Sequence, residues 1–170
     1  MAPLVRRTWS LRGQTPILYQ KTSSWQKASI IAALSVSPKR QKVGLYFSIH
    51  KKVNIDSSRV VRFLKSIRQQ IHGHVIIVWD RSRIHRADRV KILTKEKYRW
   101  DVFHFPPYAP ELNPAEMYWN YLKTKPLANQ PAYSVDRLAY SARYHGSVIQ
   151  KRQGLLKSFL YATPLFFSHQ

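Results

Sequence analysis

Two acidic residues stand apart from the rest of this sequence. Asp80 closes the short apolar run Val75 to Val78 with Trp79 between, and Glu116 lies in Asn113-Pro114-Ala115-Glu116, where a helix is expected to open. In α/β sheets functional groups collect at the carboxyl ends of strands, and a nearby helix start can deliver a side chain to the same place. A hard divalent cation takes oxygen ligands, commonly carboxylates completed by water and substrate phosphate, so an Asp and a Glu amid positive charge suit such an ion. A purely structural alternative stands beside it. Asp80 can cap the turn after its strand, and Glu116 occupies the third position of a helix with Asn113 as N-cap and Pro114 first, which is a capping arrangement.

The other acids sit in ordinary places. Asp56, Asp88, Glu96, Asp101, Glu111 and Asp136 fall at expected helix caps, on helix faces or in loops. Nearby groups with a stake in a phosphate chemistry are Arg81, Arg83 and His85 after Asp80, and Lys123 about two turns beyond Glu116. His85 suits either orienting Asp80 and touching phosphate, or capping and packing. Lys123 suits DNA contact or a salt bridge.

The elements that must position these groups follow from apolar spacing. The run ASIIAALSV from Ala28 to Val36, stopped by Ser37-Pro38, and GLYFSI from Gly44 to Ile49 predict an antiparallel pair of strands. Val60, Val61, Phe63, Leu64, Ile67 and Ile71 recur at helical spacing, with Asp56 or Ser57 to cap the start. Val75 to Val78 predicts a central strand buried on both faces. A helix from about Arg86 to Lys97 and a strand over Trp100 to Phe105 complete a strand, helix, strand unit with parallel pairing. Pro106-Pro107-Tyr108-Ala109-Pro110 must be a rigid loop, since proline lacks a donor and restricts the residue before it. Helix resumes at Pro114, and two more helices are expected from about Ser134 to Ile149 and Lys151 to Tyr161. Trp79, Trp100, Trp119 and Leu122 read as packing. The segment from Arg6 to Pro16, with Gly13 at a turn, predicts an edge hairpin or an arm.

Charge identifies the class of partner. Lys and Arg number 29 against 8 Asp and Glu, a formal charge of +21, which calls for a polyanion, and nucleic acid first. An apolar fraction of 44% still provides a core, so the charge does not imply disorder. No apolar run approaches the ~18 residues of a membrane-spanning helix, and the first nine residues do not read as a secretory signal. The absence of cysteine excludes disulfides and thiolate metal sites. A single domain over residues 1–170, placed inside the cell and associated with DNA (cytoplasm or nucleoid in a bacterium), is the expected organisation.

Two motifs carry a family resemblance: VWDRSRIH at 78–85 and FPPYAPELNPAEMYWNYLK at 105–123. The sequence resembles the DDE superfamily endonuclease domain of mariner-like and related bacterial insertion-sequence transposases. The resemblance extends from Arg6-Arg7-Thr8-Trp9 and Gly13-Gln14-Thr15-Pro16 to the C-terminal helices. It implies a ribonuclease-H-like mixed sheet flanked by helices, two magnesium or manganese ions, and phosphoryl transfer by water or a DNA 3′ hydroxyl. It further implies Asp80 and Glu116 as catalytic metal ligands, double-stranded DNA as partner at transposon ends and target, and room for a homodimer. It also implies a first Asp on a first core strand just before Arg6. Met1-Ala2-Pro3-Leu4-Val5 holds no acid there, so the expectation is a truncated first strand, no preceding DNA-binding domain and an impaired two-metal site. Arg81 departs from the smaller or amide side chain expected beside Asp80. A non-catalytic DNA-binding remnant is the alternative expectation.

Overall fold

The computed structural model describes residues 10–14, 27–129 and 134–164. Strands β1 (Ala28–Val36) and β2 (Val43–Lys51) pair antiparallel in the register Ala28 to Lys51 through Val36 to Val43, as their patterning predicts. The turn between them is closed by Ser37, whose N–H donates to the Lys42 carbonyl at 2.9 Å while its hydroxyl accepts from the Lys42 N–H at 3.0 Å.

Helix α1 (Ser57–Gln70) starts where Asp56 accepts from the Arg59 N–H at 2.8 Å, and buries Val60, Phe63, Leu64 and Ile67. Strand β3 (Ile76–Trp79) pairs in parallel with β4 (Asp101–His104). Between them runs α2 (Asp88–Lys91), continued by a π-helical stretch, Ile92–Lys97, in place of the uninterrupted helix expected. The short helix Pro110–Leu112 precedes α3 (Pro114–Thr124), followed by α4 (Val135–Gln150) and α5 (Gln153–Tyr161). None of the described helices is long and apolar enough to cross a membrane. Of the expected N-terminal hairpin or arm, only residues 10–14 are described, with a Gln14 N–H to Leu11 carbonyl bond of 3.0 Å and Gly13 at φ 83°; the rest lies outside the described residues.

Packing explains the two-faced apolar pattern of β1. Its even-numbered residues, Ile30, Ala32, Leu34 and Val36, join a core with Tyr118 and Leu122 of α3, Ala142 and Ile149 of α4, and Leu156 and Phe159 of α5. Ile31 turns to a second core built by Val60 and Leu64 of α1, Val90 and Leu93, and Trp100. β1 is therefore sandwiched between helices.

The expectation for Val75 to Val78 is corrected. Only one face of β3 is covered: Ile77 and Trp79 pack into the second core, while Ile76 is 63% and Val78 48% exposed. Among the described residues β3 pairs with β4 and β1 with β2, and α3 to α5 cover β1 and β2. Trp100, expected in the strand, precedes it as a buried core residue, 3% exposed. A continuous apolar run marks available apolar surface, and the arrangement of helices determines whether that surface is covered.

Candidate active site

Asp80 follows β3 directly, and the chain then folds one tight turn on itself. Its Oδ1 accepts from the Ser82 N–H at 2.9 Å, and the N–H groups of His85 and Arg86 both donate to the Ser82 carbonyl, at 3.0 and 3.3 Å. That turn carries the His85 ring back to its starting point. Nδ1 of His85 lies 2.7 Å from the same Asp80 Oδ1, a spacing at which Nδ1 is the protonated nitrogen donating to the carboxylate. The capping role read from the sequence thus holds for one oxygen of Asp80. Oδ2 has no partner among the described residues, and the side chain is 61% exposed.

His85 is fixed from a second direction. Its ring stacks on Trp79 with centroids 4.5 Å apart and planes 5° from parallel. Trp79 in turn donates from Nε1 to Nε2 of His104 on the neighbouring strand at 3.3 Å. His104 must be neutral at Nε2 to accept this bond. Its pKa is lowered accordingly, by burial first and then by Arg81, His85, Lys95 and Arg86. From sequence Trp79 reads as packing in preference to base stacking; its hydrogen bond to His104 depends on the β3 to β4 register, which opposes the two residues.

Glu116 is delivered by different means. Phe105 anchors the loop in the core at 6% exposure, and Tyr108 adopts φ 57°, outside any helix or strand. Asn113 then caps α3 by accepting from the Ala115 N–H at 3.1 Å, with Pro114 at the first helical position. The Glu116 N–H donates to the Asn113 carbonyl at 2.9 Å, but its side chain returns no capping bond and makes no hydrogen bond or ion pair among the described residues, so its carboxylate stands exposed at the first turn of α3. Lys123, half-buried in the last turn, is not ion-paired to it.

The remaining acids behave as surface acids. Asp56 caps α1, Asp88 pairs with Lys91 at 3.2 Å, Asp101 with His74 at 2.9 Å and Asp136 with Lys51 at 2.5 Å. Asp80 pairs instead with His85, and the arginines that follow it in sequence at 81, 83 and 86 are exposed. Asp80 and His85 are brought together. Among the described residues no group of three or more His, Asp or Glu side chains is placed to hold one ion.

An unengaged oxygen on Asp80 and an unengaged carboxylate on Glu116 are the donors a hard cation takes, with water and phosphate completing its shell. The family model for the DDE superfamily endonuclease matches residues 2–139. No curated protein matches the sequence significantly. Among solved structures, the Mos1 mariner paired-end complex with Mn is similar at TM-score 0.65 and 15% identity, over 96% of this chain and 48% of that one. The Mos1 transposase paired-end complex with left transposon end gives TM-score 0.65 and 16% identity over the same shares, 96% and 48%. The catalytic domain of Mos1 mariner transposase gives TM-score 0.57 and 18% identity over 82% of this chain and 76% of that one. This chain spans about half the length of the paired-end-complex chains. At these identities the likeness shows the fold, which is ribonuclease-H-like. With most of its length matched by the family model, the chain belongs to the DDE superfamily endonuclease family.

Proposed function

We propose that residues 1–170 form a single transposase catalytic-core domain that binds double-stranded DNA and a magnesium or manganese ion, and acts on phosphodiester bonds in DNA transposition. The observation that carries this reading is Asp80: one oxygen is braced by Ser82 and His85, and the other is left without a partner among the described residues on a 61% exposed side chain. Asp80 and Glu116 are the residues that would hold the ion. Bound there, a divalent cation supplies Lewis-acid polarisation of a phosphate and charge neutralisation at the attacking and leaving oxygens. His85 keeps the Asp80 carboxylate in one orientation, which is the positioning that phosphoryl transfer needs most from a protein. Arg81, Arg83 and Lys123 contact phosphate, fixing the duplex without reading its sequence. Bringing two DNA ends together asks for two copies, so a homodimer belongs to the proposal, as does action inside the cell where the DNA is.

A second reading has its own support. A formal charge of +21 is enough for phosphate binding without any metal, and the chain is then a non-catalytic DNA binder in which charge alone matters. Calorimetric titration of Mn2+ into the wild type, Asp80→Asn and Glu116→Gln separates the two. Loss of binding in both variants, with loss of manganese-dependent plasmid nicking, supports the catalytic core. Identical titrations in all three proteins, with DNA binding retained in EDTA, leave the second reading standing.

A further inference from the structure

Helix α4 turns a row of aromatic and basic side chains to solvent. Tyr140 is 72%, Tyr144 57% and Val148 41% exposed, and their four-residue spacing puts them on one face. Arg143 and Lys151 lie exposed beside them. The opposite face buries Leu138, Ala142, Gly146 and Ile149 against the sheet, so the exposed row is not a core face left open. The Tyr144 ring meets His145 edge-on, with centroids 5.1 Å apart at 76°, which restricts its motion.

We propose that this face of α4 is a binding platform for single-stranded nucleic acid, with bases stacked on Tyr140 and Tyr144 and phosphates held by Arg143 and Lys151. Four helical residues advance ~6 Å, well beyond the ~3.4 Å step of stacked bases in a duplex strand. Two rings at that interval match successive bases of an unstacked strand, and a duplex, whose base faces are occupied, offers them nothing. Charge points the same way. The one acid of α4, Asp136, is paired with Lys51 at 2.5 Å, and α5 has no acid. A second copy docking symmetrically through this face would set Arg143 and Lys151 against like charge with no carboxylate to meet them. A strand with one negative charge per nucleotide suits it.

The platform is independent of Asp80 and Glu116, and so is its test. Fluorescence anisotropy in EDTA, using the full 170-residue chain, compares a labelled oligothymidylate with a duplex of equal length. Tyr140→Ala with Tyr144→Ala weakens oligothymidylate binding by roughly tenfold or more and duplex binding by less than about twofold, while the paired Phe substitutions restore it. Arg143→Gln lowers the salt slope of oligothymidylate binding by about 0.7. The measurement is made in EDTA, without any divalent ion, so failure of the metal reading does not touch this one. Equal loss on duplex and single strand, or no loss on either, overturns the platform. A wild-type chain that sediments as a dimer while the Tyr to Ala pair sediments as a monomer also overturns it, assigning the face to a second copy.

Discussion

The imidazole of His85 lies flat on the indole of Trp79, 4.5 Å between centroids, while its Nδ1 reaches Asp80 Oδ1 at 2.7 Å. A carboxylate at a strand end with 61% of its side chain exposed would ordinarily swing freely. Here a hydrogen bond worth about 1 kcal/mol and a ring stack of about the same size hold it. His85→Ala, and Trp79→Ala to a similar degree, should weaken Mn2+ binding about three- to tenfold, with Trp79→Phe losing less because the ring surface is kept. Calorimetric titration reads all three.

Protonation of His104 should loosen the same assembly. Its pKa lies below the ordinary 6.5, as do those of His50 and His145, with burial the leading cause in each. Below 6.5 the unfolded chain therefore binds more protons than the folded one. The stability these neutral rings contribute is whole above 6.5 and is lost as pH falls through the lowered folded values. Urea midpoints should fall on going from about pH 7.5 to about pH 5, and His104→Gln should make the fall shallower.

The free edge of β2 is closed by side chains from the α4 to α5 junction. Gln153 accepts from the Val43 N–H at 3.1 Å and donates to the Val43 carbonyl at 2.8 Å, and Gln150 donates to the Leu45 carbonyl at 2.7 Å. Val43 is 2% exposed, so losing those partners strands buried backbone groups. Gln153→Leu should destabilise the fold by about 1–3 kcal/mol in urea denaturation.

Close approach of α4 to the sheet requires Gly146. A Cβ there would sit 2.6 Å from Phe47 Cζ and 2.9 Å from both Cε atoms. Gly146→Ala should destabilise by about 1–3 kcal/mol despite its better helix propensity, and Phe47→Leu in the same chain should recover part of that. Thermal denaturation of the single and double variants measures both.

DNA affinity should fall steeply with salt. With a formal charge of +21, several phosphates are neutralised on binding, and each adds about 0.9 to the slope of log affinity against log salt. Arg81→Gln and Arg83→Gln should each lower that slope by about one while affecting unrelated duplex sequences equally.

Much was legible without coordinates because it depends on local chemistry. Apolar runs and the breakers that bound them placed β1 and β2, Asp56 capped α1 as its type and position require, and the proline-rich loop could not be regular structure. The two motifs around Asp80 and Glu116 identified the family, and +21 made a polyanion the expected partner. Tertiary structure decided what depends on neighbours distant in sequence. The same apolar pattern is sandwiched in β1 and half-open in β3, because helices of the C-terminal third pack on β1 and β2 while Ile76 and Val78 of β3 stay exposed. The chain of contacts from Asp80 through His85 and Trp79 to His104 exists only because β3 and β4 pair in one register, a relation between segments that no local spacing contains.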